Sequence, residues 1–204
     1  MPTSTAPTEQ RVVADPLREL DLDALQGLWT EEQYLRLSEQ TNRLIEFTDG
    51  VLEVLPLPNR QHQLIQGFLY RVLFALMQQA GGVVVFAGLP VRLRPGKDRQ
   101  PDVLLLLNRG DSRNQADFWW GADLVIEIVS PRNRQRDLRT KRRDYAEAGI
   151  PEYWIVNPLD ETIMVLALAG KAYVEHGVFR RGARATSVLL PEFAVGVDAV
   201  LDAE

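Results

Sequence analysis

The alternation of apolar and polar positions predicts a β-hairpin early in the chain. Two apolar-rich runs, residues 43–48 and 51–55, flank the dipeptide Asp49-Gly50. Asp-Gly between two such runs is typical of a tight turn that joins antiparallel strands. The sequence therefore predicts a two-stranded unit centred on this turn.

Helical periodicity is clearest over residues 61–80, and the following glycine pair at 81–82 predicts the end of that helix. Its predicted apolar stripe consists of Leu64, Phe68, Val72 and Ala75. Residues 17–40 also have helical periodicity, and Thr30 is a good helix start. A further helix is predicted over residues 136–148, ahead of Gly149 and Pro151.

Five short apolar runs between and after these helices predict strands. They are residues 83–86, 91–94, 102–107, 124–129 and 153–156. The runs 102–107 and 124–129 are apolar on both faces, which is typical of central strands. From residue 162 onward, short alternating segments with glycines predict an antiparallel meander. The pattern favours an α/β (α+β) fold with a mixed central sheet flanked by helices.

Length and composition indicate one globular domain. The chain has 204 residues, of which 46% are apolar and 25% charged, an ordinary balance for a globular protein. We expect residues 1–14 to form a flexible tail and residues 15–204 to form a single domain.

The composition also excludes several kinds of chemistry. The chain has no cysteine, which excludes disulfides, thiolate metal sites and a cysteine nucleophile. Its two histidines are too few for a histidine-built metal site, so a metal would have to be held by carboxylates.

No apolar run reaches membrane-spanning length, and residues 1–10 lack the pattern of a signal peptide. We therefore expect a cytoplasmic protein with no membrane segment and no small-molecule organic cofactor.

Two carboxylates belong to the apolar strands. Glu127 lies inside the run 124–129, where an unpaired carboxylate would be costly. Asp102 follows Pro101 at the start of the other run. On neighbouring strands these two residues can share a divalent cation such as Mg²⁺, which prefers oxygen ligands. The structural alternatives are a strand-end carboxylate facing solvent or an arginine for Glu127, and a simple turn for Asp102.

A strongly basic segment follows the second strand. Residues 132–143 contain seven basic residues and one acid, which gives +6 in a chain of net charge −5. Such a segment favours an anionic partner over a merely solvated face. Its candidate nucleic-acid-binding residues are Arg132, Arg134, Arg136, Arg139 and Arg142.

Lys141 is one of only three lysines in a chain that has twenty arginines. It is spaced four residues from both Asp137 and Tyr145, so the three would share one helix face. The alternative is a simple surface pair between Asp137 and Lys141.

Together these segments resemble a known family. The matching stretches are residues 44–50 with His62, residues 99–103, residues 123–131, the series Asp137, Lys141 and Tyr145, and residues 149–156. Over roughly residues 28–198 the chain resembles the Uma-type family of restriction-endonuclease-like proteins, which has the PD-(D/E)XK nuclease fold.

The resemblance implies a metal-dependent nuclease core. It implies that Asp102 and Glu127 hold Mg²⁺ or Mn²⁺. The usual lysine two residues after the acid is replaced by Val129, and the resemblance implies that Lys141 supplies the displaced charge. Glu46 and His62 also match family positions. Their alternatives are a surface pair on the hairpin for Glu46 and a helix cap for His62.

Three functions remain open from the sequence. The leading hypothesis is a Mg²⁺-dependent endodeoxyribonuclease that hydrolyses phosphodiester bonds in DNA, as a homodimer if it cuts both strands. The second is a catalytically inactive nucleic-acid-binding module, because the usual lysine is missing. The third is a protein-interaction module whose basic helix binds an acidic partner. Its candidate apolar contacts, which the sequence also allows as core residues, are Leu105, Leu107, Trp119 and Trp120.

Overall fold

A computed structural model describes residues 25–130 and 139–204. In these ranges the helices are α1 Glu31–Gln40, α2 Arg60–Ala80, α3 Lys141–Glu147 and α4 Val197–Leu201. The strands are β1 Ile45–Thr48, β2 Val51–Val54, β3 Val83–Phe86, β4 Val91–Arg94, β5 Lys97–Arg99, β6 Val103–Leu106, β7 Trp119–Trp120, β8 Leu124–Ile128, β9 Glu152–Asn157, β10 Thr162–Ala169, β11 Ala172–Arg180, β12 Arg184–Thr186 and β13 Ala194–Gly196. The predicted tail, residues 1–14, lies outside the described residues.

The larger sheet is mixed and has six strands in the order β11-β10-β9-β8-β6-β3. β8 and β9 are parallel, and the other neighbours are antiparallel. β6, β8 and β9 are buried along their whole length, as expected for strands with both faces covered. The predicted mixed sheet with central apolar strands is confirmed. In the predicted meander from residue 162 onward, β10 pairs with β11 and β12 with β13, both antiparallel.

The two faces of this sheet have separate cores. Val103, Leu105 and Ile126 point towards α2. Leu104 and Val125 point to the other face, where they join Tyr145 of α3. Side chains alternate along a strand, so this division also decides which face the polar residues at the strand ends occupy.

Helix α2 is capped at both ends and lies across the first face. The Asn59 side chain accepts the backbone N–H of His62, and Gly81 ends the helix with φ of 82°. The buried face consists of Ile65, Leu69, Leu73 and Met77. The first three positions of the predicted stripe are one residue too early, which is a rotation of about 100° around the helix axis. Phe68 and Val72 pack half-buried at the edge of the core, and Ala75 is exposed. Both sets have helical spacing, and packing on the sheet decides between them.

The smaller sheet has the order β2-β1-β5-β4-β7 and contains the predicted hairpin. Asp49 and Gly50 both have positive φ, 47° and 86°, as a type I′ turn requires. β5 was not predicted, because all three of its residues are charged. They are nevertheless buried, and ion pairs described below account for that burial.

α3 begins at Lys141, and residues 136–138 of the predicted helix lie outside the described residues. Gly149 follows the helix with φ of 76°. In the described part of the chain, no helix has both the length and the apolarity needed to cross a membrane.

Candidate active site

Asp102 and Glu127 meet at one end of the central strand pair. β6 and β8 are antiparallel with Val103 opposite Ile126, so Asp102 and Glu127 lie one step beyond that pair, across from each other. Strand alternation places Glu127 on the face covered by α3, whereas the Asp102 carboxylate, just before β6, contacts His62 near the start of α2. Asp102 is 9% exposed and Glu127 is 3% exposed. The two carboxylates line one cavity of about 540 Å³.

The Asp102 carboxylate is fixed by contacts on both oxygens. His62 Nε2 lies 2.7 Å from Oδ1, and the backbone N–H of Ile128 donates to Oδ2 at 2.7 Å. The Gln66 side chain also donates to the Asp102 carbonyl. The helix-cap alternative for His62 is wrong, because the cap is the Asn59 side chain and the imidazole faces Asp102.

Glu127 is held by two side chains of α3. The Tyr145 hydroxyl donates to Oε1 at 2.5 Å, and Lys141 Nζ lies 2.7 Å from Oε2. Burial, followed by the negative charge of Glu127, raises the pKa of Tyr145 well above its usual value. Tyr145 therefore stays protonated and acts as a hydrogen-bond donor.

Lys141 is buried in the site, with its side chain only 4% exposed, so it is not a surface residue. Asp137, its partner in the surface-pair alternative, lies outside the described residues. Its amine also lies 3.4 Å from Oε1 of Glu46. The residue at the usual lysine position, Val129, belongs instead to the apolar core beside α3. The positively charged side chain at the site is therefore Lys141 of α3, and not a residue that follows Glu127 on the strand.

Glu46 belongs to a buried ionic network and not to a surface pair. It is 1% exposed and accepts the backbone N–H of Gln100. Arg99 Nε lies 3.5 Å from its other oxygen. The same guanidinium donates to Asp144 Oδ2 at 2.6 Å, and Lys97 donates to Asp144 Oδ1 at 2.8 Å.

Sequence reasoning did not select Lys97, Arg99 or Asp144 as site residues. The available signal was the spacing: Lys97 and Arg99 are two residues apart on one strand face, and Asp144 follows Lys141 by one helical turn.

The predicted arginines divide into two groups. Arg132, Arg134 and Arg136 lie outside the described residues. Arg139 is exposed, and Arg142 is half-buried and donates to the Tyr173 carbonyl at 3.1 Å.

The predicted apolar contacts of an interaction module also divide. Leu105 and Trp119 are buried in the core, while Leu107 and Trp120 are each 39% exposed.

The donor set fits a hard cation held by few protein ligands. Among the described residues, no group of three or more acidic or histidine side chains is arranged to hold a metal. Asp102 and Glu127 supply two carboxylates to a cavity large enough for water. Mg²⁺ is usually held by one or two carboxylates with several waters, so a pair of carboxylates is compatible with it.

The fold has a counterpart among solved structures. A crystal structure titled as that of "a putative nuclease belonging to DUF820" from Anabaena variabilis aligns with a TM-score of 0.72 and 20% identity, and covers 85% of this chain and 98% of that chain. This similarity shows the fold.

The chain belongs to the Uma2 family, described as "Putative restriction endonuclease", whose model matches residues 31–200. Comparison with curated proteins gives no match. Family and fold together support a nuclease.

Proposed function

We propose that this protein is a divalent-metal-dependent endodeoxyribonuclease. The observation that carries the proposal is the arrangement of Asp102, Glu127 and Lys141. Two buried carboxylates lie across a central strand pair, and a buried amine contacts one of them. This combination of acids and a lysine in one cavity is suited to phosphodiester hydrolysis.

Each residue has a distinct role in this proposal. Asp102 and Glu127 hold Mg²⁺ or Mn²⁺, which when bound would activate water and neutralise charge on the phosphate. Lys141 donates to a phosphate oxygen in the transition state, where a fixed cation stabilises developing charge. His62 orients Asp102 and Tyr145 orients Glu127, since hydrogen-bonding partners of this kind fix ligand geometry.

The substrate in this proposal is DNA, positioned by the basic segment. Arg132, Arg134, Arg136, Arg139 and Arg142 contact backbone phosphates. Such contacts position the nucleic acid without reading its sequence, and they weaken steeply as salt rises. A homodimer would place two centres on a duplex, which cleavage of both strands requires.

A non-catalytic binding module is the second candidate, and the burial of Val129 in the core favours it. A nuclease fold without the strand lysine can retain its nucleic-acid surface and lose its chemistry. Under this alternative, Asp102→Asn leaves DNA affinity unchanged or raises it through reduced repulsion, and no cleavage is seen with any divalent metal.

Nicking of supercoiled plasmid tests the proposal. We expect the wild-type protein to nick plasmid with Mg²⁺ or Mn²⁺ and to stop when EDTA is added. Asp102→Ala should abolish nicking, whereas Asp117→Ala, which removes an exposed carboxylate elsewhere, should not. Binding without cleavage, at several salt concentrations and with both metals, would support the binding module instead.

A further inference from the structure

We propose that Arg99 and Asp144 are positioning residues for Lys141, acting through a buried chain of ion pairs behind the active site. The inference rests on the proposed function, because it assigns these residues to the amine that function uses. It concerns residues that touch neither the cavity nor the carboxylates proposed to hold metal.

The chain begins at Asp144, which is 1% exposed. Arg99 binds one of its oxygens through Nη2 at 2.6 Å and Nε at 3.1 Å. Lys97 binds the other oxygen at 2.8 Å. Burial alone would raise the pKa of Asp144, but the hydrogen bonds from Lys97 and Arg99 lower it below its usual value. Asp144 is therefore a fixed negative charge.

Arg99 connects Asp144 to Glu46. Its Nε lies 3.5 Å from Glu46 Oε2, and its Nη1 donates to Thr48 Oγ1 at 2.8 Å. The other oxygen of Glu46 lies 3.4 Å from Lys141 Nζ. The guanidinium therefore shares its charge between two buried carboxylates, and one of them contacts the amine of Lys141.

Among the described residues the buried network contains three basic and three acidic side chains, and exposed Arg143 lies 3.9 Å from Asp144 at its edge. Lys97, Arg99 and Lys141 face Glu46, Glu127 and Asp144, and every one of these six side chains is at most 10% exposed. Removing one member of such a set leaves an uncompensated buried charge. We expect the remaining side chains to rearrange so that this charge is paired again. Arg99 without Asp144 would turn towards Glu46 and compete there with Lys141.

Two backbone connections transmit the loss of the Arg99–Asp144 pair to the active site. Asp144 is one helical turn beyond Lys141 on α3, and Arg99 lies three residues before Asp102. The Arg99–Asp144 pair therefore joins the helix that carries the amine to the segment that carries the carboxylate. Loss of the pair should displace Lys141 relative to Asp102, and a misplacement of about 1 Å can cost roughly 100-fold in rate.

A double-mutant cycle on plasmid nicking tests the functional half of the proposal. We expect Asp144→Asn to lower kcat roughly 10- to 100-fold with little change in KM. It should have no further effect when Lys141 is already methionine, because it acts through that amine. Equal effects of Asp144→Asn with and without Lys141 would overturn the proposal.

Asp98→Asn is the matched control. Asp98 is fully buried and paired with Arg92 at 2.9 Å, on the opposite face of the same strand. It should lower thermal stability as Asp144→Asn does but leave kcat within about twofold. An equal loss of kcat in both variants would show that general destabilisation causes the loss, and it would overturn the proposal.

Lysine NMR tests positioning without requiring cleavage. The chain has only Lys97, Lys141 and Lys171, so a sample labelled with ¹³Cε lysine gives three assignable signals. Asp144→Asn should shift the signals of Lys97 and Lys141, and Asp98→Asn should leave Lys141 unchanged. Lys171 serves as the internal reference.

An unmoved Lys141 signal in Asp144→Asn would overturn the proposal. If the wild type failed to nick DNA while the Lys141 signal still shifted, the proposed function would fail and the positioning network would stand. Arg99→Gln is the second variant if Asp144→Asn does not fold, and it leaves the number of lysines at three. It removes the guanidinium fork that joins Asp144 to Glu46, and it should shift the same signal.

Discussion

The two central carboxylates are stabilised in different ways. Glu127 faces a cation, Lys141, and a neutral donor, Tyr145. Asp102 faces a backbone N–H and the imidazole of His62. A carboxylate that is buried must be compensated, and these contacts supply that compensation without filling the cavity. The side chains are thus held in place before any substrate enters.

Replacing Lys141 tests the proposed charge at the phosphate. Lys141→Met keeps much of the side-chain volume but removes the charge, so kcat should fall by about 10²–10³. Plasmid nicking under saturating metal measures this fall. Lys171→Met, which makes the same substitution at an exposed lysine away from the site, is the control. Full metal-dependent activity in Lys141→Met would exclude its assigned role.

Tyr145→Phe removes one hydroxyl from Glu127 and leaves the ring in the core. A partner that orients a metal ligand contributes about 10- to 100-fold in affinity or activity, so half-maximal cleavage should require more Mg²⁺. Tyr173→Phe, the control, removes another buried hydroxyl, which donates to the Ile150 carbonyl. A metal requirement raised equally in both variants would contradict a specific role for Tyr145.

Among single residues, the sequence predicts those whose environment is local. Glu127 is recognisable because its own strand is apolar, and Asp102 because it opens the neighbouring one. Arg99 and Asp144 are not, since their pairing joins positions 45 residues apart. The contact between Lys141 and Glu127 likewise depends on how α3 packs in the folded protein. The spacing of the two residues along the chain does not predict it.

At the scale of elements, one buried carboxylate attaches the C-terminal segment to β9. Glu152 is 1% exposed and accepts hydrogen bonds from Trp154, Ser187 and the backbone N–H groups of Val188 and Leu189. These bonds connect the start of a central strand to a loop 35 residues later. The loop thereby gains a fixed attachment to the sheet.

Glu152→Gln should destabilise the fold without touching the active site. Hydrogen bonds to a charged group contribute about 1.5–3 kcal/mol each, so the free energy of unfolding should fall by about 2–3 kcal/mol or more. Urea unfolding measures this change, with exposed Glu175→Gln as the control. Equal midpoints for the two variants would contradict the anchoring role.

Elements with a local signature were predictable, and those made by tertiary pairing were not. The Asp49-Gly50 hairpin and the apolar strands β6 and β8 follow from turn chemistry and apolar runs. β5 does not, because Lys97 and Arg99 are buried only through Asp144. The face of α2 was misplaced by one residue, since only contact with the sheet separates two stripes of the same period.

At the scale of the whole molecule, paired aspartates determine how stability responds to acid. Hydrogen bonds from the side chain and the backbone N–H of Arg113 hold the pKa of Asp111 at about 2. Polar partners also lower the pKa values of Asp49, Asp144, Asp198 and Asp202. Burial raises the pKa of Asp98, which acts in the opposite direction. Among the described aspartates, five have a lowered pKa and one, Asp98, has a raised pKa, so the lowered values dominate the response to acid.

Stability should therefore fall as the pH is lowered below about 4. A group with a lowered folded pKa binds protons more readily when unfolded, so its contribution is present above the unfolded pKa of about 3.9 and lost as the pH falls through the folded value. Urea midpoints between about pH 5 and pH 2 measure this loss. A midpoint that stayed constant or rose over that range would contradict it.

The proposed nuclease activity depends on Asp102 and Glu127 forming one metal site. Electron paramagnetic resonance of Mn²⁺ titrated into the wild-type protein measures this directly, because bound and free ions give different signals. We predict saturable binding that is lost in Asp102→Asn and in Glu127→Gln and kept in Asp117→Asn. Unchanged Mn²⁺ binding in both active-site variants would contradict a metal site formed by Asp102 and Glu127.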